Sequence, residues 1–169
     1  MSIKLRTINK TILLMFFAVG LGLTVGTVGY AQGTGAFARL AGRWSGAGNV
    51  ELSNGSRETI HCRAAYDVLS VRDLQLNIRC ASESYNFDLR ASVKSVSGRV
   101  SGTWSESTRN AGGTLSGEAD GERIQVLARG SAFAATIMLT TRGRRQTVVI
   151  RSEDQDSTLR GASIHLRRS

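Results

Sequence analysis

Side chains suited to catalysis or metal binding are few in this chain of 169 residues, which contains two histidines and two cysteines. His61 and His165 each stand between two apolar residues, so in an extended strand each imidazole points away from the apolar face. General acid or base catalysis needs an imidazole that a carboxylate orients inside a cleft, and no spacing supports such a group. The histidines also lack the ligand spacing of a zinc site. We therefore expect no catalytic residue, cofactor or metal, and predict that the chain is not an enzyme.

The two cysteines, Cys62 and Cys80, predict a disulfide, because an even count in an exported chain favours pairing. Closing this loop should stabilise the fold by about 3 kcal/mol. If Cys62 faces Cys80 across a hairpin, the same register places Arg63 directly opposite Arg79 on the outer face.

Like charges that lie directly opposite each other destabilise a sheet. A carboxylate or phosphate that bridges Arg63 and Arg79 would offset this cost, with His61 one step away on the same face. We therefore consider these three residues as an anion patch. The alternative is that Asp88 on the next strand neutralises the two guanidinium groups.

Aromatic side chains on the inward face predict an interior ligand site. The candidates are Trp104, Tyr85, Phe87 and Phe133. An eight-stranded barrel is wide enough either to be filled by side chains or to hold one small ligand. Small inward residues in the second half favour a cavity, whereas tight packing of a flattened barrel is the alternative; these small residues are Gly102, Gly117, Ala119, Ala128 and Ala135.

Period-two alternation of apolar and polar residues positions all these side chains, and no long segment has helical periodicity. The alternating segments predict eight to ten strands. Short turn signals separate them and predict antiparallel neighbours, as at Asn54-Gly55-Ser56 and Asp120-Gly121. The expected fold is all-β, an antiparallel up-and-down barrel of about eight strands, because closure removes exposed edges. A two-sheet β-sandwich is the alternative.

The amino terminus has the pattern of a bacterial-type secretory signal peptide. Lys4, Arg6 and Lys10 precede an apolar run, and Gly29-Tyr30-Ala31 supplies small residues for cleavage after Ala31. We expect a signal peptide at 1–31, a flexible entry at 32–39 and one barrel domain at 40–169. The mature protein would be secreted or periplasmic, without stable membrane insertion; an uncleaved anchor is the alternative.

The expected mature part is basic, with 19 of the 22 Lys and Arg residues and all 13 acidic residues, which leaves a net charge of +6. Many of these cations fall between inward apolar positions, so they lie on the outer wall. Outward aromatic residues are largely missing, which argues against binding of single-stranded nucleic acid. An anionic component of the cell envelope is a more suitable partner.

Gly42 and Trp44 at the start of the first strand resemble the start of the calycin superfamily, which includes lipocalins, fatty-acid-binding proteins and avidins. In lipocalins this tryptophan closes the narrow end of the barrel under a basic side chain from a late strand. The resemblance implies a structural role for Gly42 and Trp44, with Arg151 or Arg167 as the stacking cation. It favours a barrel that holds a small, mostly apolar ligand. The alternative function is an envelope interaction protein, an inhibitor or polyanion binder.

Overall fold

The computed structural model describes residues 35–131, 133–155 and 157–169. These residues form ten strands: β1 (Gly42–Leu52), β2 (Arg57–Val68), β3 (Asp73–Ala81), β4 (Asn86–Val96), β5 (Arg99–Glu106), β6 (Ala111–Asp120), β7 (Arg123–Gly130), β8 (Ala134–Arg142), β9 (Arg145–Ser152) and β10 (Leu159–Arg168). No helix in this part of the chain is long and apolar enough to cross a bilayer.

The strands close into one antiparallel up-and-down barrel in which each strand pairs with the next along the chain and β1 pairs with β10. This confirms the predicted barrel, but the strand number is ten instead of about eight, and a sandwich is wrong. Turns as short as Ser97-Gly98 join successive strands, so every alternating segment becomes a strand of its own. Pairing of β1 with β10 leaves no free edge, which a sandwich would have to protect.

Glycines on the inner faces of β1 and β6 lie against the backbone of a neighbouring strand, and we call these two strands the corners of the barrel. A Cβ atom on Gly46 would lie 2.0 Å from the carbonyl oxygen of His165, and one on Gly117 would lie 2.0 Å from that of Gln125. Glycine therefore permits a close approach of neighbouring strands that another residue would block. Because β1 and β6 are five strands apart in a ring of ten, the two corners are opposite each other. The remaining strands form two walls, β2–β5 and β7–β10.

The two ends of the barrel differ, and we name them after their tryptophans. The Trp44 end is where β1 begins, and Phe37 and Leu40 cover it with side chains that are 1% and 3% exposed. The Trp104 end carries the β5–β6 and β7–β8 connections. The predicted signal peptide lies outside the described residues, and of the predicted flexible entry the described part forms a turn around Phe37.

The predicted disulfide is present between Cys62 on β2 and Cys80 on β3, with a Cα–Cα distance of 4.1 Å. Both side chains are buried in the core. A disulfide in a small domain is typical of oxidising compartments, in agreement with an extracytoplasmic location.

Candidate functional site

Trp44 closes its end of the barrel as a fully partnered side chain. The indole Nε1 donates a hydrogen bond of 2.7 Å to the carbonyl oxygen of Leu40. The guanidinium of Arg168 lies 4.7 Å above the indole ring, and the same side chain donates to the carbonyl oxygen of Arg39. The ring is 1% exposed. Trp44 therefore ties the entry turn, the first strand and the last strand together.

The stacking cation is Arg168, so the assignment to Arg151 or Arg167 is wrong. Leu166 is inward and buried on β10, and alternation places Arg168 on the same face. Arg167 and Arg151 are exposed on the outer wall. Because Arg168 is two residues after the apolar Leu166, the alternation in the sequence could have identified it as the inward, stacking cation.

A buried polar network, which the sequence analysis missed, supports the Trp44 end. The hydroxyl of Tyr66 donates to Gln146 Oε1 at 2.9 Å, and Gln146 Nε2 donates to Thr141 Oγ1 at 3.1 Å. Burial raises the pKa of Tyr66 well above its usual range, although the bond to Gln146 opposes this. The sequence does indicate this network at one position: Gln146 is a polar residue two before Val148, and alternation places both on the inner face.

Trp104 is also buried, at 7% exposure, but its indole N–H is unpartnered. The ring lies beside Gly130, where a Cβ atom would come within 3.0 Å of it. Phe133 packs against it edge-on, with the ring centroids 6.0 Å apart. Within the described part of the chain, no acceptor receives a hydrogen bond from Trp104 Nε1. A buried donor without a partner costs about 1–3 kcal/mol.

Tyr85 lies at the same end of the barrel under a cation. The guanidinium of Arg109 is 4.3 Å from the centre of the Tyr85 ring, and its Nη1 donates to the carbonyl oxygen of Asn86 at 2.9 Å. Burial raises the pKa of Tyr85. Phe87, opposite Cys80 on β4, packs against the same core as Tyr85, Trp104 and Phe133. The four aromatic residues thus share one end of the interior, and their role in ligand binding stays a prediction.

Glu106 organises the β5–β6 turn at this end, although the sequence analysis did not select it. Its carboxylate is 3% exposed and accepts hydrogen bonds from the backbone N–H groups of Asp88, Thr108 and Arg109, at 3.0, 3.0 and 2.8 Å. Burial alone would raise the pKa of Glu106, but these bonds and one from the Thr108 hydroxyl outweigh it and lower the pKa to about 2. Glu106 is therefore an ionised structural carboxylate at neutral pH.

Two groups of large apolar side chains line the interior and are only half-buried, so water reaches part of both walls. Strands β3 and β8 are five apart in the ring of ten, as are β4 and β9, so these groups lie on opposite sides. The first comprises Leu76, Ile78, Phe87 and Leu89 on β3 and β4; the second comprises Val126, Ile137, Leu139 and Ile150 on β7 to β9.

The small inward residues that favoured a cavity differ in their exposure. Ala128 and Ala135 are 3% and 0% exposed, whereas Gly102, Gly117 and Ala119 are partly accessible. A Cβ atom on Gly102 would lie 2.3 Å from the carbonyl oxygen of Ser92, so glycine there permits close strand packing.

A cleft of about 580 Å³ adjoins the Trp104 end on the outside of the barrel. Phe133 lines this cleft and also contacts Trp104. Arg129 and Glu153 supply charge to the cleft. Phe133 therefore stands between an accessible cleft and the unpartnered indole.

On the outer wall, Arg63 lies directly opposite Arg79, as the disulfide register predicts. Arg79 Nε lies 2.9 Å from Asp88 Oδ2, so Asp88 neutralises this member of the pair. His61, the third residue of the anion patch, is also exposed. Within the described residues, no group of three or more His, Cys, Asp or Glu side chains could hold a metal ion.

No family model and no curated protein matches this chain. Among solved structures, the chain is similar to the S-type phycobiliprotein lyase CPES from Guillardia theta, with a TM-score of 0.52 and 12% sequence identity. The match covers 79% of this chain and 90% of that one. The likeness is one of fold.

This likeness corrects the expectation that the chain is not an enzyme. A barrel with this architecture occurs in a protein described as a lyase. The lack of a recognisable triad in the sequence is therefore no ground for exclusion, because a barrel interior can position reactive groups without one.

Proposed function

We propose that this chain is an exported β-barrel that binds a small, mostly apolar molecule in its interior, next to Trp104. The observation that carries the proposal is the buried indole N–H of Trp104, which has no acceptor among the described residues. A ligand with one carbonyl, ether or carboxylate oxygen would accept this hydrogen bond. The hydrogen bond to the ligand would then offset the free-energy cost of burying this N–H group.

The half-buried aliphatic walls support the apolar character of the ligand. Ile137 and Leu89 lie on opposite sides of the interior, and both are partly accessible. Small-molecule sites are mostly apolar and contain a few placed polar groups, and the unpartnered indole N–H of Trp104 would be such a group. Phe133 would be displaced or would rotate when a ligand enters from the adjoining cleft.

Binding of a neutral fluorescent probe, N-phenyl-1-naphthylamine, tests the proposal. Saturable binding is expected, and Ile137→Trp should weaken it at least tenfold because the larger ring fills the interior. Met138→Trp is the matched control, since Met138 is the next residue on β8 and lies on the exposed side. Val126→Phe gives a second interior substitution if Ile137→Trp fails to fold.

Native mass spectrometry of the protein from its host provides an independent readout. A bound small molecule is expected in the folded wild type and should be depleted in Trp104→Phe, which removes the donor. A fully ligand-free protein that also fails to bind the probe would contradict the proposal. So would an equal loss of probe binding in the Ile137 and Met138 variants.

A further inference from the structure

Barrel closure places four arginines in one transverse row on the outer wall. Across adjacent strands from β9 to β3, the register pairs Arg145 with Arg167, Arg167 with Ser45, Ser45 with Arg63, and Arg63 with Arg79. We call these five residues the arginine row. All five are exposed. Because paired strands lie about 4.8 Å apart, the row spans roughly 20 Å.

Carboxylates contribute little to the neutralisation of this row. In the described ranges, Arg79 is the member of the row with an ion-pair partner, Asp88. Arg145 and Arg167 are directly opposite each other, as are Arg63 and Arg79, and like charges in this position destabilise a sheet. A bound anion would remove that penalty.

The rows on either side extend the same chemistry. On one side, Ala47 lies between His165 on β10 and His61 on β2, so both histidines flank the central strand. On the other side, Arg43 and Arg90 add further cations in line with Ala65 and Asn77. In the described structure, these neighbouring positions carry no acidic side chain and no phenylalanine, tyrosine or tryptophan.

The opposite corner of the barrel has a different arrangement of charge. Arg99 on β5 pairs across the sheet with Glu118, and Arg123 on β7 pairs with Asp120. Each of these two arginines faces a carboxylate, whereas Arg129 on β7 faces Thr114. The β1 corner differs in having two pairs of arginines directly opposite each other.

We propose that the arginine row binds an acidic polysaccharide that runs across the strands over β1. Guanidinium groups bind carboxylate and sulfate oxygens in bidentate geometry. The small side chains of Ser45 and Ala47 leave a shallow depression on β1, between the cations on the neighbouring strands. The spacing of adjacent strands is close to the length of one pyranose unit, so successive acidic groups can meet successive arginines.

The shape of the corner and the lack of aromatic rings select this partner over others. Because the sheet closes into a barrel, its outer surface at β1 is convex across the strands. A flexible linear chain can follow a convex surface, whereas a flat bilayer touches little of it. Single-stranded nucleic acid would need aromatic rings for base stacking, and the row has none.

Titration with a defined heparin oligosaccharide tests the proposal. The double variant Arg63→Gln/Arg167→Gln should raise Kd at least tenfold at physiological ionic strength and lower the slope of log K against log salt by about two, one for each removed contact. The matched control, Arg99→Gln/Arg123→Gln, removes the same charge from the opposite corner and should change Kd less than twofold. Ser45→Glu, which places an acid in the middle of the row, should weaken binding on its own.

Several outcomes would overturn this inference. Equal weakening by both double variants would show a general charge effect, and unchanged binding in Arg63→Gln/Arg167→Gln would exclude the row. Tighter binding of a single-stranded oligonucleotide, or of vesicles that contain phosphatidylglycerol, would reject the polysaccharide as partner. The N-phenyl-1-naphthylamine assay of the same variants should be unchanged, so this test stands apart from interior binding.

Discussion

Trp44 and Trp104 follow a glycine by two and precede a serine, yet their indole N–H groups have different environments. Trp44 donates to the carbonyl oxygen of Leu40 and lies under Arg168. Trp104 is buried against Phe133 with its donor unpartnered. A satisfied indole closes one end of the barrel, whereas the unsatisfied one marks the end where we propose that a ligand binds. Similar local sequences thus give a hydrogen-bonded indole at one end of the barrel and an unpartnered indole at the other.

The largest expected effect follows from loss of the closing ring. Trp44→Ala should lower the free energy of unfolding by about 3–5 kcal/mol, because it leaves a cavity and removes the anchor of the entry turn. Urea denaturation followed by Trp104 fluorescence measures this. Arg43→Ala, at the exposed neighbour, should change stability by less than about 0.5 kcal/mol. A loss below about 1.5 kcal/mol in Trp44→Ala would show that the ring does not close the core.

The stability that Glu106 gives to the Trp104 end should depend on pH. Its folded pKa of about 2 lies below that of an unfolded glutamate, so its contribution is complete above about pH 5 and is lost as the pH falls towards 2. Glu106→Gln should therefore destabilise the protein by about 2–3 kcal/mol at pH 7.

The difference in stability between wild type and Glu106→Gln should shrink as the pH falls from 5 to 2, measured by thermal unfolding across that range. Glu118→Gln, at an exposed position on β6, is the control variant for the same measurement. If the difference in stability between wild type and Glu106→Gln stays constant with pH, the destabilisation comes from packing and not from the charge.

Replacing each tryptophan by phenylalanine addresses the comparison directly. Trp44→Phe removes a satisfied donor and Trp104→Phe an unsatisfied one, so Trp44→Phe should cost about 1–2 kcal/mol more in the ligand-free protein. Chemical denaturation of the two single variants gives the difference. Equal costs would mean that the indole of Trp104 has a partner in solution.

The smallest expected effect concerns the cation over Trp44. Arg168→Gln should destabilise the fold by about 1 kcal/mol and change the near-ultraviolet circular dichroism of Trp44. Arg167→Gln is the matched control, because it removes the same charge one residue away on the outer face. If the two variants have the same effect, stacking on the indole contributes nothing specific.

Features of this fold that depend on neighbouring residues can be predicted from the sequence, whereas those that depend on distant residues cannot. Alternation predicted the faces of Ile60, His61 and Cys62 correctly, because successive side chains in a strand point in opposite directions. The disulfide predicted the register of Arg63 and Arg79 for the same local reason. The sequence could not predict that Gly102 and Gly117 permit close strand packing, because that role depends on the neighbouring backbone.

The sequence by itself determined the strand type, the inner and outer faces and the Cys62–Cys80 pairing, since these follow from the period of the strand and from neighbouring hairpins. Only the tertiary structure decided which distant strands meet. Pairing of β1 with β10 brings Arg167 within two strands of Arg63 and Arg168 onto Trp44. It also decided that one indole donor finds an acceptor and the other does not, because hydrogen bonding of a buried side chain depends on atoms from elsewhere in the chain.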